Sequence, residues 1–190
     1  MKRVRNPQVL TSTLASAGTS LKEATVNEEP VRVFVRQPFT ESGNVEKGVI
    51  QGVLDVLSSL DADILTGAEA QSEDSFRAAF EAQSGLPFTP RNFRGMRLQL
   101  LDSSHGMILI RTSLSESGAF EAAYNVFGGP QVPMFFAVWK NAPIKTTLLR
   151  DMDELCPAEY VTFDEPEELR DRLAAFLRRS RQSHGQALAA

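Results

Sequence analysis

Apolar positions along the chain follow two patterns that alternate from end to end. Five short runs are nearly continuous in apolar or β-branched residues: VRVFV (31–35), ADILTG (62–67), GMILI (106–110), VPMFFAV (132–138) and EYVTF (159–163). Each predicts a buried strand. GMILI is the expected centre of the sheet, because an unbroken apolar run fits a strand covered on both faces. Pro133 places its strand's start, or a sheet edge, at that point. Between the runs, apolar residues return at three- and four-residue spacing. Val45, Val49, Val53, Val56, Leu57 and Leu60 form one face of a helix. Phe76, Ala79 and Phe80 predict a helix over 73–83. Met96, Leu100 and Leu101 predict one over 94–103, and GAFEAAYNVF a third over 118–127. SGLPFTPRNF (84–93) reads as a loop, since its two prolines interrupt any period. The closing helix has Asp164 at an N-cap position, Pro166 in its first turn and Glu167 three residues on. Leu169, Leu173, Phe176 and Leu177 mark its inward face.

Strands alternating with helices predict an α/β domain with a mainly parallel five-stranded sheet and helices on both faces. Residues 1–29 are rich in Ser, Thr and Ala without a sustained period and read as a flexible arm. The folded domain is expected over 30–182, with a frayed tail at 183–190. Parallel sheets bind ligands beyond the carboxyl ends of their strands. That singles out the loops 36–44, 67–72, 111–118 and 139–147.

Composition narrows the function classes. The chain has 190 residues, of which 42% are hydrophobic and 23% charged, which suits one folded domain. Twenty Lys and Arg against 24 Asp and Glu leave a formal charge of -4, the opposite of a general nucleic-acid binder. One cysteine, Cys156, excludes an internal disulfide and a CxxC motif. Two histidines argue against a His-rich metal site. No apolar run is long enough to span a bilayer, and no apolar segment follows the basic N-terminus. A cytoplasmic protein that binds neither membrane nor nucleic acid is expected.

The loop after GMILI carries the best candidate chemistry. In R-T-S-L-S-E-S-G-A-F-E, Ser115, Ser117 and Gly118 are expected at a helix N-terminus, where free N–H groups and small hydroxyls hold phosphate. Glu121 follows within what would be the first turn, its carboxylate facing the same cleft. Gly118-x-x-Glu121 also fits a plain helix start, and spacing alone favours that cap. In the loop after the first strand, Arg36 could pair with a phosphate and Phe39 stack on a base. His105, just before GMILI, is either a proton donor or a solvated helix end. Trp139 is a ligand platform or a rim aromatic. Asp61 and Asp63 read as turn residues at the wrong end of a strand. Arg170, Arg172, Arg178, Arg179 and Arg181 read as a solvated helix face.

The succession VFVRQPF, amphipathic helix, HGMILI and SESGAFEAAYNVFGGPQVPMFF resembles the nucleoside 2-deoxyribosyltransferase family, most of all its nucleotide N-glycosidase branch. The resemblance covers roughly residues 31–180. It implies a flavodoxin-like, or Rossmann-like, parallel sheet and an activity that cleaves the base–sugar bond of a nucleotide or nucleoside. It puts Glu121 at the catalytic glutamate, acting at C1′. Ser115, Ser117 and Gly118 fall in the segment that holds the sugar or its phosphate. Phe39 matches the aromatic after the first strand, and Asn125 lies near the sugar. It implies no cofactor and no metal, and a homodimer or higher homo-oligomer. The apolar run Phe127, Val132, Met134, Phe135 and Phe136 offers surface for such an assembly.

The sequence also departs from that pattern. Arg36-Gln37 replaces Gly-Gly, His105 stands where the family has Asp, and a second Asp upstream becomes Arg97. The family's acids help to protonate the departing base. Three outcomes follow: a glycosidase with His105 as the acid, a different ribosyl substrate, or a nucleotide-binding module without catalysis, on which Glu121 merely caps a helix. A neighbouring class that cleaves NAD or cytokinin-like nucleotides ranks lower, because its Gly-Gly-x-Gly-Thr-x-x-Glu segment is absent.

Overall fold

A computed structural model describes residues 29–38, 42–66 and 73–189, with side chains left out for 73–76 and 186–189. Phe39, the loop 67–72 and all but Glu29 of the expected arm lie outside the described residues. Five strands form one sheet: β1 (Val31–Arg36), β2 (Ala62–Ile64), β3 (Gly106–Arg111), β4 (Met134–Trp139) and β5 (Ala158–Phe163). Every pairing is parallel, in the order β2-β1-β3-β4-β5. This is the flavodoxin-type order, and it reverses direction between β1 and β3. β3 is central, and all six of its residues are buried.

Helices cover both faces. α1 (Asn44–Ser58) and α5 (Arg170–Ala189) pack on one face, around Val33, Val35, Ile108, Ile110 and Phe135. α3 (Pro90–Asp102) and α4 (Glu116–Phe127) cover the other, around Phe34, Met107, Leu109, Met134 and Phe136. α2 (Glu73–Ser84) joins them through Phe80, which meets the Phe88 ring edge-on at 5.4 Å. Alternate residues of β1 and β3 thus feed two cores. Among the described residues no helix is long and apolar enough to cross a membrane.

Several element boundaries depart from expectation, each for a local reason. The proline-rich stretch over 84–93 is not loop throughout. Thr89 caps α3 by accepting the Asn92 N–H, and Pro90 occupies the first turn, where a missing N–H costs nothing. Asp164 is not the cap of the last helix but pairs with Lys140. Glu165 and Glu168 form the capping box of a short 3-10 turn, Pro166–Leu169, that leads into α5. α5 continues to Ala189, past the point where fraying was expected. β2 is shorter than expected, and the Thr66 hydroxyl extends its pairing. It accepts the Val35 N–H at 3.0 Å and donates to the Val35 carbonyl at 2.5 Å. Asp61, just before β2, has φ 57°, a turn conformation. The expected apolar assembly surface is largely consumed inside the subunit. Met134, Phe135 and Phe136 are fully buried, and only Phe127 stands out in solvent.

Close packing of α5 on β3 requires Gly106. A Cβ there would lie 2.8 Å from Ser180 Oγ and 2.9 Å from Phe176 Cζ. Gly106→Ala should therefore destabilise the protein by about 1–3 kcal/mol through overpacking. Gly48, on the open side of α1, has nothing within 4 Å. Gly48→Ala should add about 0.5–1 kcal/mol. Urea denaturation of the two variants checks the contrast.

Candidate active site

The reversal of strand order opens a crevice at the carboxyl ends of β1 and β3. From β1 the chain turns to α1 on one face; from β3 it turns to α4 on the other. Ligands in such sheets bind where those two connections diverge. Arg36 ends β1, Arg111 ends β3, and the N-terminus of α4 follows directly.

Ser115 is the N-cap of α4. Its Oγ accepts the Gly118 N–H at 3.1 Å and a second bond from Arg36 Nη2 at 3.2 Å. A Cβ on Gly118 would stand 3.2 Å from that Oγ and 3.4 Å from Arg36 Cγ, so glycine lets α4 settle onto Arg36. With Ser115 as cap, Glu121 lies in the second turn and not the first. Glu121 therefore does not cap the helix, the role that spacing alone favours. Its side chain turns inward and the residue is only 5% exposed.

Two arginines meet the carboxylate. Arg97 of α3 donates from Nε to Glu121 Oε1 at 2.8 Å, and Arg36 Nε lies 3.4 Å from Oε2. The Arg97 guanidinium also sits 4.4 Å above the Phe34 ring, in cation–π contact. A guanidinium can only donate, so Glu121 is engaged as an acceptor, the role of a carboxylate. Burial lowers the pKa of Arg36 below the ordinary arginine value; Glu121 opposes the shift and the charge on Arg97 adds to it. Arg36 Nε, Arg97 Nη2 and Glu121 Oε2 have no hydrogen-bond partner among the described residues. Glu121, Arg97, Ser117 and Phe120 line a cleft of about 320 Å³, of the size that holds a small ligand.

The structure thus brings Arg36, Ser115, Ser117, Gly118 and Glu121 together and separates other candidates from them. His105 lies at the amino end of β3, across the whole strand from the cleft, or about 20 Å at 3.3 Å per residue. It cannot hand a proton to a base leaving beside Glu121, which corrects that expectation. Its Nδ1 accepts the Arg32 N–H, its backbone N–H donates to the Arg32 carbonyl, and its ring packs 4.3 Å from that of His184. Asn125 is also corrected. It is fully buried, and its amide both donates to the Val132 carbonyl and accepts the Val132 N–H. That pins the turn leading into β4 at the amino edge, away from any sugar in the cleft. Trp139 is half-buried against the α1/α5 core. Burial and Asp153 push the Cys156 thiol up, away from nucleophilic use. On α5, Arg172 and Arg179 both pair with Glu159. Sequence reasoning took Arg111 as a loop residue, although it continues the alternation of β3. Arg97 entered only as a departure from a pattern, not as the partner of Glu121.

No protein-family model matches the chain, and no curated protein matches its sequence significantly. Solved structures do share its fold. One is the CMP N-glycosidase BcmB of Clostridium botulinum, with a TM-score of 0.53 and 12% identity over 76% of this chain and 98% of that one. Another is BlsM, in a solution structure, with a TM-score of 0.58 and 12% identity over 80% of this chain and 92% of that one. At such identities the likeness establishes the α/β fold, as the resemblance implied.

The placement of His105 has a consequence for stability. Burial lowers its pKa from the ordinary 6.5, with His184, Arg32 and Arg181 adding to the shift and Glu29 opposing it. The unfolded chain then binds the proton more readily than the folded one. The contribution is fully present above pH 6.5 and is lost as the pH falls toward the lowered value. Urea midpoints should drop between about pH 7.5 and about pH 5.5, and His105→Gln should flatten that dependence. An equal slope in the variant would remove His105 as its source.

Proposed function

We propose that the protein is an N-glycosidase that cleaves the base–ribose bond of a nucleotide, with Glu121 acting at C1′. The observation that carries this reading is a buried carboxylate facing a small-molecule cleft between α3 and α4, held in place by Arg97 and Arg36. A fold shared with a CMP N-glycosidase adds to it.

Glu121 attacks C1′ or stabilises its oxocarbenium-like charge as the C1′–N bond breaks. The bonding electrons leave with the base. Arg97, whose Nη2 has no partner among the described residues, donates a hydrogen bond to the departing base. Solvent water supplies the base's proton, and a second water adds to C1′. Ser117, in the cleft wall, contacts the sugar, while Ser115 and Gly118 set the position of α4. A homodimer is part of this reading. Phe120 and Phe127, seven apart on α4, are 51% and 74% exposed and leave an apolar stripe beside the cleft for a second copy.

The runner-up is a nucleotide-binding module without catalysis. It is favoured by the two guanidiniums that occupy the carboxylate a nucleophile must free. Incubation with a panel of nucleoside monophosphates, reading free base by chromatography, separates the two. Release supports the glycosidase; binding without release supports the module. Glu121→Gln should lower release by about 10²-fold or more while the circular dichroism spectrum is kept. A loss that only tracks unfolding would make Glu121 a structural residue. Light scattering at micromolar concentration should give twice the 20.9 kDa chain mass, and a value near the single chain would overturn the dimer.

A further inference from the structure

We propose that Phe93 and Phe120 form a stacking slot for the nucleobase, so that the base lies between α3 and α4 with its edge toward Arg97. This rests on the glycosidase reading and names where its leaving group sits. The sequence offered that role to Phe39, which lies outside the described residues.

The lining of the Glu121 cleft divides by depth and by chemistry. Glu121 and Arg97 are its buried polar members, joined at 2.8 Å. Phe93 and Leu98 from α3 and Phe120 from α4 supply its carbon walls. The two rings stand in different surroundings. Phe93 belongs to an aromatic cluster, with its centroid 5.6 Å from that of Phe88 and 6.0 Å from that of the buried Phe80. Packing of this kind holds a ring in one orientation. Phe120 is 51% exposed and stacks on no other ring among the described residues. A lone exposed phenylalanine is ordinary on a protein surface. Here the exposed ring borders a cleft of about 320 Å³, and the helix on the other side supplies a second ring that does not fill it. A gap with aromatic carbon on both sides suits a flat ring, because offset stacking adds to the area buried.

A nucleobase matches both parts of this lining. Its faces are π surfaces that stack on phenyl rings, and its edges carry ring nitrogens and carbonyl oxygens. The Arg97 guanidinium is held over the Phe34 ring at 4.4 Å and spends Nε on Glu121, while Nη2 has no partner among the described residues. Since a guanidinium only donates, it meets acceptors on the edge of the base. A phosphate or a polyhydroxylated sugar would give up water against Phe93, Leu98 and Phe120 without hydrogen bonds in return. Connectivity agrees. The base is bonded to C1′, so a carboxylate that meets C1′ has the base among its own neighbours, and Arg97 is bonded to that carboxylate. Ser117, exposed at the mouth, is left for the sugar.

The test needs no catalysis. Trp139 is the only tryptophan of the chain and packs against the α1/α5 core. Phe120→Trp in a Trp139→Phe background therefore puts a single indole at the cleft, where a stacked base quenches its fluorescence. At least one of the common ribonucleoside monophosphates should quench it, and ribose 5-phosphate, which lacks only the base, should not. In the otherwise unaltered protein, Phe120→Ala should weaken calorimetric binding of that nucleotide about 5- to 100-fold, the range for loss of one stacking ring. Phe120→Tyr should keep the affinity and Phe120→Leu should not, because a ring and not mere carbon is required. Melting temperatures should stay close to that of the wild type, since the ring is half exposed. Absence of quenching by every nucleotide, equal quenching by ribose 5-phosphate, or full affinity in Phe120→Leu would each overturn the assignment. So would a Phe120→Ala variant that keeps its affinity and loses only a dimer, which would make Phe120 part of the subunit contact. If nucleotides lose their base while Phe120→Ala leaves KM unchanged, the glycosidase stands and this proposal fails. If nucleotides quench the indole and none is cleaved, this proposal stands and the glycosidase fails.

Discussion

A carboxylate buried beneath a helix must be paired, and the pairing of Glu121 ties three elements into one cleft. Arg97 reaches it from α3 and Arg36 from β1, while Ser115 holds Arg36 from the start of α4. Phe34 floors the arrangement under Arg97. Removing one member of such a group typically costs about 3–5 kcal/mol, whereas replacing the whole group with apolar residues is often neutral. Stability alone therefore does not account for a charged cluster here. Its cost is reasonable where charge is wanted, at the carboxyl edge of a sheet whose strand order reverses.

That edge exists because β3 is apolar on both faces. A strand with no polar face must be covered twice, so the helices on either side of it belong to opposite layers. The crevice between them follows from topology and needs no dedicated sequence. Gly118 and Ser115 then set how deep the crevice is, by letting the first turn of α4 rest on the Arg36 side chain.

The strands were legible because burial on both faces leaves an unbroken apolar signature, as in GMILI. Helix starts were less so. Pro90 looked like a breaker and Gly118 like a start, yet each boundary is set by one side-chain cap, Thr89 or Ser115, a residue type as common in loops. In the candidate site, Arg36 was singled out because it stands at a strand's carboxyl end, and Glu121 because it lies in the helix that follows such an end. His105 stood on the other side of its strand. In a parallel sheet that alone separates it from the chemistry by the strand's full length. Asn125 shares a helix with Glu121 but points at the turn before β4, and helix spacing does not report which neighbour a turn will supply. Arg111 was hidden by its place at a boundary, where one more strand residue looks like the first residue of a loop.

On the proposed glycosidase reading, an arginine in the cleft, Arg97, limits what the cleft can do without emptying it of chemistry. An acid beside the scissile bond delivers a proton to the leaving base. A guanidinium cannot, since it does not give up its proton at any working pH. What it offers is a fixed positive charge and directed N–H groups, which stabilise electrons arriving on the base without transferring anything. Such a site suits bases that leave readily as anions and is poorly matched to bases that must be protonated first. The same guanidinium holds Glu121, so on that reading attack at C1′ and stabilisation of the base would draw on one side chain. If Arg97 turned toward a departing base, its hold on the carboxylate would loosen at the moment the carboxylate is needed. Coupling of this kind would make Arg97 the residue on which catalysis or mere binding turns: a guanidinium free to shift would serve a reaction, and one locked onto Glu121 recognition alone.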